Sequence, residues 1–531
     1  MKRTNKFYYL LLTLIVLVSC TSELEVGPSD PDAFLAEDFF SDPNSYRQSL
    51  AGVYGNLSLV GANGPNESNI SGLDAGTSQY IRGLWNLQEL TTDEAVWTWE
   101  NDPGTRELNR SIWNAENPII RGMFGRAMAQ VAFANEFLRQ TTENLLDARG
   151  VGESLKQEVA VFRAEARFLR ALSYYHIMDL FGKAPFVTEN DPIGAFQAPE
   201  LQRTELFAFI ESELLEIESI LIDPLQNEWG RVDKAAAWIL LAKIYLNAEV
   251  YLNEDRYSDC LEYCQQIIDS PYELSTNYLY NFAADNNSST ARNEIIFPVQ
   301  SDGVVTQNWG TTTMLVNGQV GSLEGNGEDF GVNSGGWGGA LRVTNSFSQI
   351  LTAGIYDDDD RNTLIIGDRP IDITSISNSG TGYIVGKYSN ISSLGVSGSS
   401  NTFVDADFPM FRLADVYLMY AEAHLRGGGG TESQALDLVN QLRTRANNIN
   451  LLSSSDLTLD AVFNERAVEM YWEGHRRQDL IRFNRFSSGS YNWNWKGNFS
   501  GGISLEDTME VFPIPNASLA SNTNLTQNDG Y

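Results

Sequence analysis

Two stretches of this 531-residue chain repeat one plan. They are WILLAKIYLNAEVYLNEDRYSDCLEYCQQII, Trp238 to Ile268, and VYLMYAEAHLRGGGGTESQALDLVNQLR, Val416 to Arg443. Setting Ala242 on Ala421 brings Tyr245 onto His424. After a length difference in the connection, Cys260 falls on Ala435 and Cys264 on Val439. Each stretch reads as a helix, a short turn and a second helix with small residues at the crossing, in the style of a tetratricopeptide hairpin. One such hairpin cannot bury its apolar face alone, so neighbours must stack on it. The repeat therefore sets the fold class as mainly α, a tetratricopeptide-like scaffold of helical hairpins.

The stretch FRAEARFLRALSYYHIMDLFGKAPFVT, Phe162 to Thr188, fits the same plan. Phe162, Ala166, Leu169, Ser173, Ile177 and Leu180 share one helical face, and Arg163, Arg167, Arg170 and Tyr174 share another. Gly182 suits a left-handed C-cap, with Pro185 just beyond. His176 lies among Arg170, Tyr174, Tyr175 and Asp179, so the helix is either a site or scaffold. Membership of a hairpin array favours scaffold, with His176 and His424 satisfied in the core and the arginines paired to carboxylates. His475, Arg476 and Arg477 are read the same way. Further helices are expected from Asp42 (N-cap) and Pro43 (N1), from Trp113 to Leu138, Val151 to Phe181, Thr204 to Leu221 with Thr204 as cap, and Asp460 to Phe486.

Length alone suggests about three domains, a prior that repeat arrays break. The expected division is a leader over 1–19, a tether over 20–40 and one domain over 41–531. Its helical scaffold takes mainly 41–60, 113–270 and 410–486, and a loop-rich part takes mainly 61–112 and 271–409. In the second of these, strand-like pieces at Glu294 to Phe297 and Gly382 to Val385 sit among Gly, Ser and Asn. Long irregular segments inside a compact protein are uncommon and often functional.

Lys2, Arg3 and Lys6 precede an apolar run, Phe7 to Val18, too short to span a bilayer but suited to a signal peptide. It ends in Leu17-Val18-Ser19-Cys20, the pattern of a bacterial lipobox in which Cys20 is lipidated. The expectation is a protein anchored to a membrane through Cys20 and not spanning it. A net charge of −33 excludes a basic nucleic-acid footprint and disfavours polyanionic ligands. A neutral ligand fits best.

No G-x-S-x-G, H-E-x-x-H or P-loop is present. The Asp357 to Asp360 run lacks the ligand and glycine positions of an EF-hand and reads as a turn with surface charge. Gly427 to Gly430 is a hairpin turn and not a phosphate cradle. Cys260 and Cys264, four apart on one helical face, read as small buried residues and not as a disulfide or metal pair.

The tryptophans stand apart. Trp97, Trp99, Trp309 and Trp337 lie in segments rich in Gly, Asn, Asp and Pro, and Trp337 is flanked by Gly335-Gly336 and Gly338-Gly339. In extended chain the rings of Trp97 and Trp99 point to one face. Packing under the loop and stacking on the apolar faces of sugar rings are both open for each ring.

Several further stretches carry a resemblance: the LVSC lipobox, NLQELTTDEAVWTW, FRAEARFLRALSYYHIMDLFGKAPFV, NEIIFPV, FPMFRLADVYLMYAEAH, VNQLRTRA, ERAVEMYWEGHRRQDLIRF and VFPIPNASLASNTNLTQNDGY. Over essentially its whole length the chain resembles the SusD/RagB family of outer-membrane nutrient-binding lipoproteins. The resemblance implies a four-unit tetratricopeptide scaffold, a ligand site on the loop-rich side, and exposure at the cell surface. It also implies partnership with a SusC-like TonB-dependent transporter, to which captured glycans pass. In that picture the protein is not an enzyme, and no catalytic residue, cofactor or metal ligand is assigned. The segment DAGTSQYIRGLWNLQELTTDEAVWTWENDPG is similar to the sugar-contacting region of the family's starch-binding founder. Position by position this implies Asp74, Arg82, Trp97 and Asn101, with Trp99 as the rival aromatic and Asp102 as the alternative to Asn101. Trp309 and Trp337 would form the second side of an aromatic arc. An α-glucan such as starch is the first choice of ligand and a β-1,3-glucan such as laminarin the second. A surface glycoside hydrolase and a protein-only adaptor are the competing functions.

Overall fold

The computed structural model describes residues 36–194, 196–323 and 325–531. The leader, Cys20 and most of the 20–40 tether lie outside the described residues. The structure is mostly helical. Twelve helices matter here: α1 Ser45–Ser58, α2 Tyr80–Glu89, α3 Pro118–Gln140, α4 Glu153–Phe181, α5 Arg203–Ile217, α6 Lys234–Leu246, α7 Tyr257–Ile268, α8 Thr311–Gln319, α9 Leu413–Leu425, α10 Glu432–Arg445, α11 Leu459–Met470 and α12 Arg476–Arg482. Four strands make two antiparallel pairs: β1 Ala95–Trp97 with β3 Leu341–Val343, and β2 Ile295–Val299 with β4 Phe408–Arg412. No helix among the described residues is long and apolar enough to cross a membrane.

The repeated stretches form hairpins. In one, α6 packs on α7, and in the other α9 packs on α10; α7 then packs on α9, so one hairpin stacks on the next. Cys260 and Cys264 sit at that contact, fully buried and free, with sulfurs 3.9 Å apart. The helix α6 is apolar nearly all round because neighbours cover it on several sides. The Gly427–Gly430 turn closes the second hairpin. There His424 is only half-buried, and its Nδ1 lies 2.6 Å from the Gly429 carbonyl oxygen.

α4 lies between α3 and α5, and its arginine face fastens it to both. Arg163 donates to the Leu138 carbonyl and the Thr141 hydroxyl of the α3 terminus. Arg167 pairs with Glu213 and Glu216, and Arg170 with Glu189 and Glu213. Gly182 ends the helix at φ +71. His176 is buried, with Nδ1 2.9 Å from the Tyr80 hydroxyl, and burial pushes its pKa down to about 3. A ring held neutral between α2 and α4 is scaffold.

Four expectations shift. Asp42 accepts the Asn44 N–H and closes a turn, so α1 begins at Ser45. Asn117 caps α3 by accepting the Ile119 and Ile120 N–H groups, so the helix begins at Pro118 and Trp113 precedes it. Thr204 lies inside α5, whose start is closed by Glu205 reaching back to the Gln202 N–H. In the aspartate run, Asp359 is buried against Arg361 while Asp357, Asp358 and Asp360 stay exposed.

A buried acid pair lies under the α2–β1 connection. Glu89 Oε1 accepts the N–H groups of Gly474 and His475, and Glu94 Oε2 accepts that of Trp472. Burial and the neighbouring carboxylate push Glu89 well up, and burial raises Glu94 to about 7. Folded-state pKa values above the unfolded value of about 4.5 mean that the folded chain holds extra proton. The resulting stability is full below pH 4.5 and is lost as pH rises through 7. A fall on the order of 1 kcal/mol per pH unit between pH 5 and 7 is expected in urea titrations. Glu94→Gln should flatten it, because a neutral amide still accepts the Trp472 N–H. An unchanged slope in the variant would rule the pair out as the source.

Candidate functional site

Five separate segments converge on one cleft of about 510 Å³, lined by Asp74, Gly76, Thr77, Arg82, Trp99, Asp102, Pro103, Pro118, Trp309 and Trp337. Local chemistry places each. Asp74 Oδ1 accepts the N–H and hydroxyl of Thr77, closing the turn before α2. Gln79 caps α2 by accepting the Arg82 N–H, which puts Arg82 in the first helical turn. β1 is held to β3 with Trp97 opposite Leu341, and the Asn109 side chain brackets Trp97 by accepting its N–H and donating to its carbonyl.

The chain then leaves the strand. The Glu100 N–H returns to the Thr98 carbonyl and the Asp102 N–H to the Trp99 carbonyl. Trp97 and Trp99 therefore do not share a face. Trp97 is 2 % exposed, whereas Trp99 is 41 % exposed. Their rings meet nearly edge to face, 5.4 Å apart at 88°. Trp97 forms a floor and Trp99 a wall. Gly318 on α8 leaves room for that floor, since a Cβ there would lie 3.1 Å from the Trp97 ring.

Trp337 faces Trp99 at 6.0 Å and 36°, and Trp309 stands 6.4 Å from Trp337 at 45°. The three rings make a curved wall. The Trp337 loop needs its glycines: Gly336 and Gly339 have φ of +42 and +65, and a Cβ on Gly339 would lie 2.2 Å from the Ser322 hydroxyl. The Trp337 N–H donates to the Asn317 carbonyl. Trp309 is fixed twice, its ring N–H donating to Asn66 Oδ1 at 2.8 Å and its face resting on Phe403 at 4.7 Å. Neither Asn66 nor Phe403 was marked by any motif or period, since their role exists only once the loops meet.

Arg82 is the polar centre. Its Nη1 donates to the Gly76 and Trp309 carbonyls, and its guanidinium carbon lies 5.5 and 5.8 Å from the Trp97 and Trp337 rings. Among the described residues Nε has no partner, and none is found for Nη2. Burial pulls the pKa of Arg82 down to about 10, and the charges of Asp102 and Asp74 oppose the shift. It stays a cation with N–H groups to offer. Asn101 is exposed and does not line the cleft; Asp102, half-buried, takes that position. Of the residues expected from sequence, Asp74, Arg82, Trp99, Trp309 and Trp337 thus share one cleft, Trp97 lies beneath it and Asn101 outside. Among the described residues no cluster of His, Cys, Asp and Glu suited to a metal ion is found.

The chain is 35 % identical to the starch-binding protein SusD of Bacteroides thetaiotaomicron, over 97 % of this chain and 96 % of that one. A SusD homolog from the same organism superposes at a TM-score of 0.70 with 19 % identity, covering 93 % of this chain and 98 % of that one. Surface glycan-binding protein A of Bacteroides thetaiotaomicron, solved with laminarihexaose, superposes at 0.66 with 20 % identity, covering 91 % and 98 %. The sequence profile of the SusD family matches residues 352–531. With the whole-length likeness to SusD, that match establishes that the chain belongs to the SusD family.

Proposed function

We propose that the protein is a surface glycan-binding lipoprotein. It captures neutral oligosaccharides in the tryptophan cleft and delivers them to a SusC-like TonB-dependent transporter in the outer membrane, to which Cys20 tethers it. The carrying observation is the convergence of Trp99, Trp309, Trp337 and Arg82 on one cleft. Aromatic rings cover the apolar C–H faces of sugars, and Arg82, Asp74 and Asp102 supply a donor and acceptors for hydroxyls. The bulk charge of −33 suits a neutral cargo.

Successive tilts of 36° and 45° favour a curved chain over a flat ribbon. An α-glucan of the starch type is the first choice, in keeping with the name of the 35 % identical relative. A β-1,3-glucan is the second reading, because it is also neutral and curved, and a structural neighbour was solved with laminarihexaose. The soluble chain lacking residues 1–20 should bind maltooligosaccharides in calorimetry more tightly than laminarin oligomers. Tighter binding of laminarin oligomers would reverse the ligand, and binding of neither would sink the glycan reading. Release of shorter sugars from a polymer would instead make the protein a hydrolase.

A further inference from the structure

A second cleft, of about 930 Å³, opens between the 346–356 segment, the 450–456 loop, α11 and Tyr491–Asn492. That volume falls in the roughly 300–1,000 Å³ span of small-molecule sites. Its floor is apolar: Phe463, Tyr356 and Leu452 are buried there, and Ile350 is half-buried. Most of its polar groups are neutral. Gln349, Asn450, Asn464 and Asn492 bring amides and Ser346 a hydroxyl. Among the described residues Asn464 makes no side-chain bond, and the amide groups of Gln349, Asn450 and Asn492 donate only over 3.3, 3.4 and 3.3 Å, to Asn345, the Ile355 carbonyl and the Gly489 carbonyl. Arg443 on the lining is committed to Glu465, and the carboxylate of Asp456 accepts from the Ser453 N–H and hydroxyl at the rim.

One wall is held in place. The Tyr491 hydroxyl donates to Asp93 Oδ2, and Asp93 is in turn paired on both oxygens with Arg476. The ring is fixed before any ligand arrives, which lowers the entropy lost on binding. Asp93 directly precedes Glu94 and β1, so the stretch that carries Trp97 and Trp99 also anchors this wall.

We infer that this cleft is a second saccharide site, in which Tyr491 and the apolar floor receive the C–H face of a neutral sugar and the free amide of Asn464, with the loosely held amides of Gln349, Asn450 and Asn492, bonds its hydroxyls. Anionic ligands find no free cation there, since Arg443 is committed to Glu465, and a protein partner would have to desolvate four amides without a matching backbone strand or helix on offer. The inference rests on the glycan reading above but on none of its residues. Two sites on one chain let a polymer be gripped at two points, which raises apparent affinity without new contacts.

The test is retardation of the soluble chain in native gels cast with amylopectin or with laminarin, for wild type, Trp99→Ala/Trp337→Ala, Asn464→Ala/Asn492→Ala and the quadruple variant. The tryptophan double variant should keep weak retardation in whichever polymer retards the wild type, and the quadruple variant should lose it. The asparagine double variant should lose on the order of tenfold in polymer affinity with its calorimetric affinity for a short oligomer unchanged. Polymer affinity unchanged by the asparagine substitutions, with wild type retarded, overturns the second site alone. Wild type retarded by neither polymer overturns both readings. Loss of transporter co-purification with polymer affinity intact would assign the cleft to protein and overturn the inference. Asn492 is exposed and Asn464 half-buried, so these variants are expected to fold.

Discussion

Trp337→Ala is expected to lower glucan affinity by roughly 30-fold or more, about 2 kcal/mol, the cost of removing a central aromatic anchor. Trp337 is the middle ring of the three: it faces Trp99 at 6.0 Å and Trp309 at 6.4 Å, and it lies within 5.8 Å of the Arg82 guanidinium carbon. Its loss breaks the curved wall at the centre and removes one of the two rings beside Arg82. Trp99→Ala, at an exposed end of the wall, should cost less affinity and almost no stability. Calorimetry with one oligomer, beside thermal unfolding of each variant, separates the two. Undiminished affinity in Trp337→Ala would remove the cleft from the function. Restoration of most affinity by Trp337→Phe would assign the effect to the aromatic face and not to the indole N–H.

The two halves of the protein were unequally legible. Helices were readable because their apolar period needs only neighbours along the chain, and the hairpins because one plan occurs twice. Arg167 and Arg170 on the arginine face of α4 were readable as paired because carboxylates outnumber cations throughout, whereas Arg163 instead donates to the Leu138 carbonyl and the Thr141 hydroxyl at the end of α3. The tryptophans were readable as unusual, but not which of them would be exposed. Alternation along an extended strand put Trp97 and Trp99 on one side. The strand ends at Trp97, and the hydrogen bonds that turn the chain at Thr98 and Trp99 send one ring into the core and the other outward. Asn101 and Asp102 differ by the same local turn. Asn66 and Phe403 reach Trp309 from 243 residues before it in one case and from the far side of the loop region in the other, and no local pattern encodes such a meeting.

Least legible was what joins the loop-rich middle to the helices. Charged residues are read by default as solvated, yet here they form a buried lattice. Arg361, Lys387, Arg412, Arg443 and Arg445 face Glu294, Asp359, Glu465, Glu469 and Glu473, five cations against five carboxylates. Glu294, Asp359, Arg361 and Lys387 come from the middle of the chain, and Glu465, Glu469 and Glu473 from α11 and the turn after it. Arg412, at the end of β4 and fully buried, touches three of the acids: Nε to Glu473 at 2.6 Å, and Nη1 to Glu469 at 2.6 Å and to Glu294 at 3.0 Å. Its Nη2 also donates to the Glu469 carbonyl. Burial alone would raise Glu469, but Arg445, Arg412 and Arg361 hold it well below the ordinary carboxylate range, so the acid remains ionised in the interior.

Arg412→Ala should therefore destabilise the protein by about 3–5 kcal/mol, the range for leaving a buried charge without its partner. The cost is not the worth of the ion pairs, since burying charge is itself expensive. It is the surplus negative charge left among Glu294, Glu469 and Glu473. That distinction has its own test. Arg412→Met combined with Glu473→Gln removes one charge of each sign and keeps the volume, so it should recover a good part of the loss. Urea unfolding of wild type, Arg412→Ala and the double variant reads both values. A loss below about 1 kcal/mol in Arg412→Ala would mean that water reaches the lattice and screens it. A double variant no better than Arg412→Ala would mean that hydrogen-bond geometry, and not charge balance, holds β4 to α11.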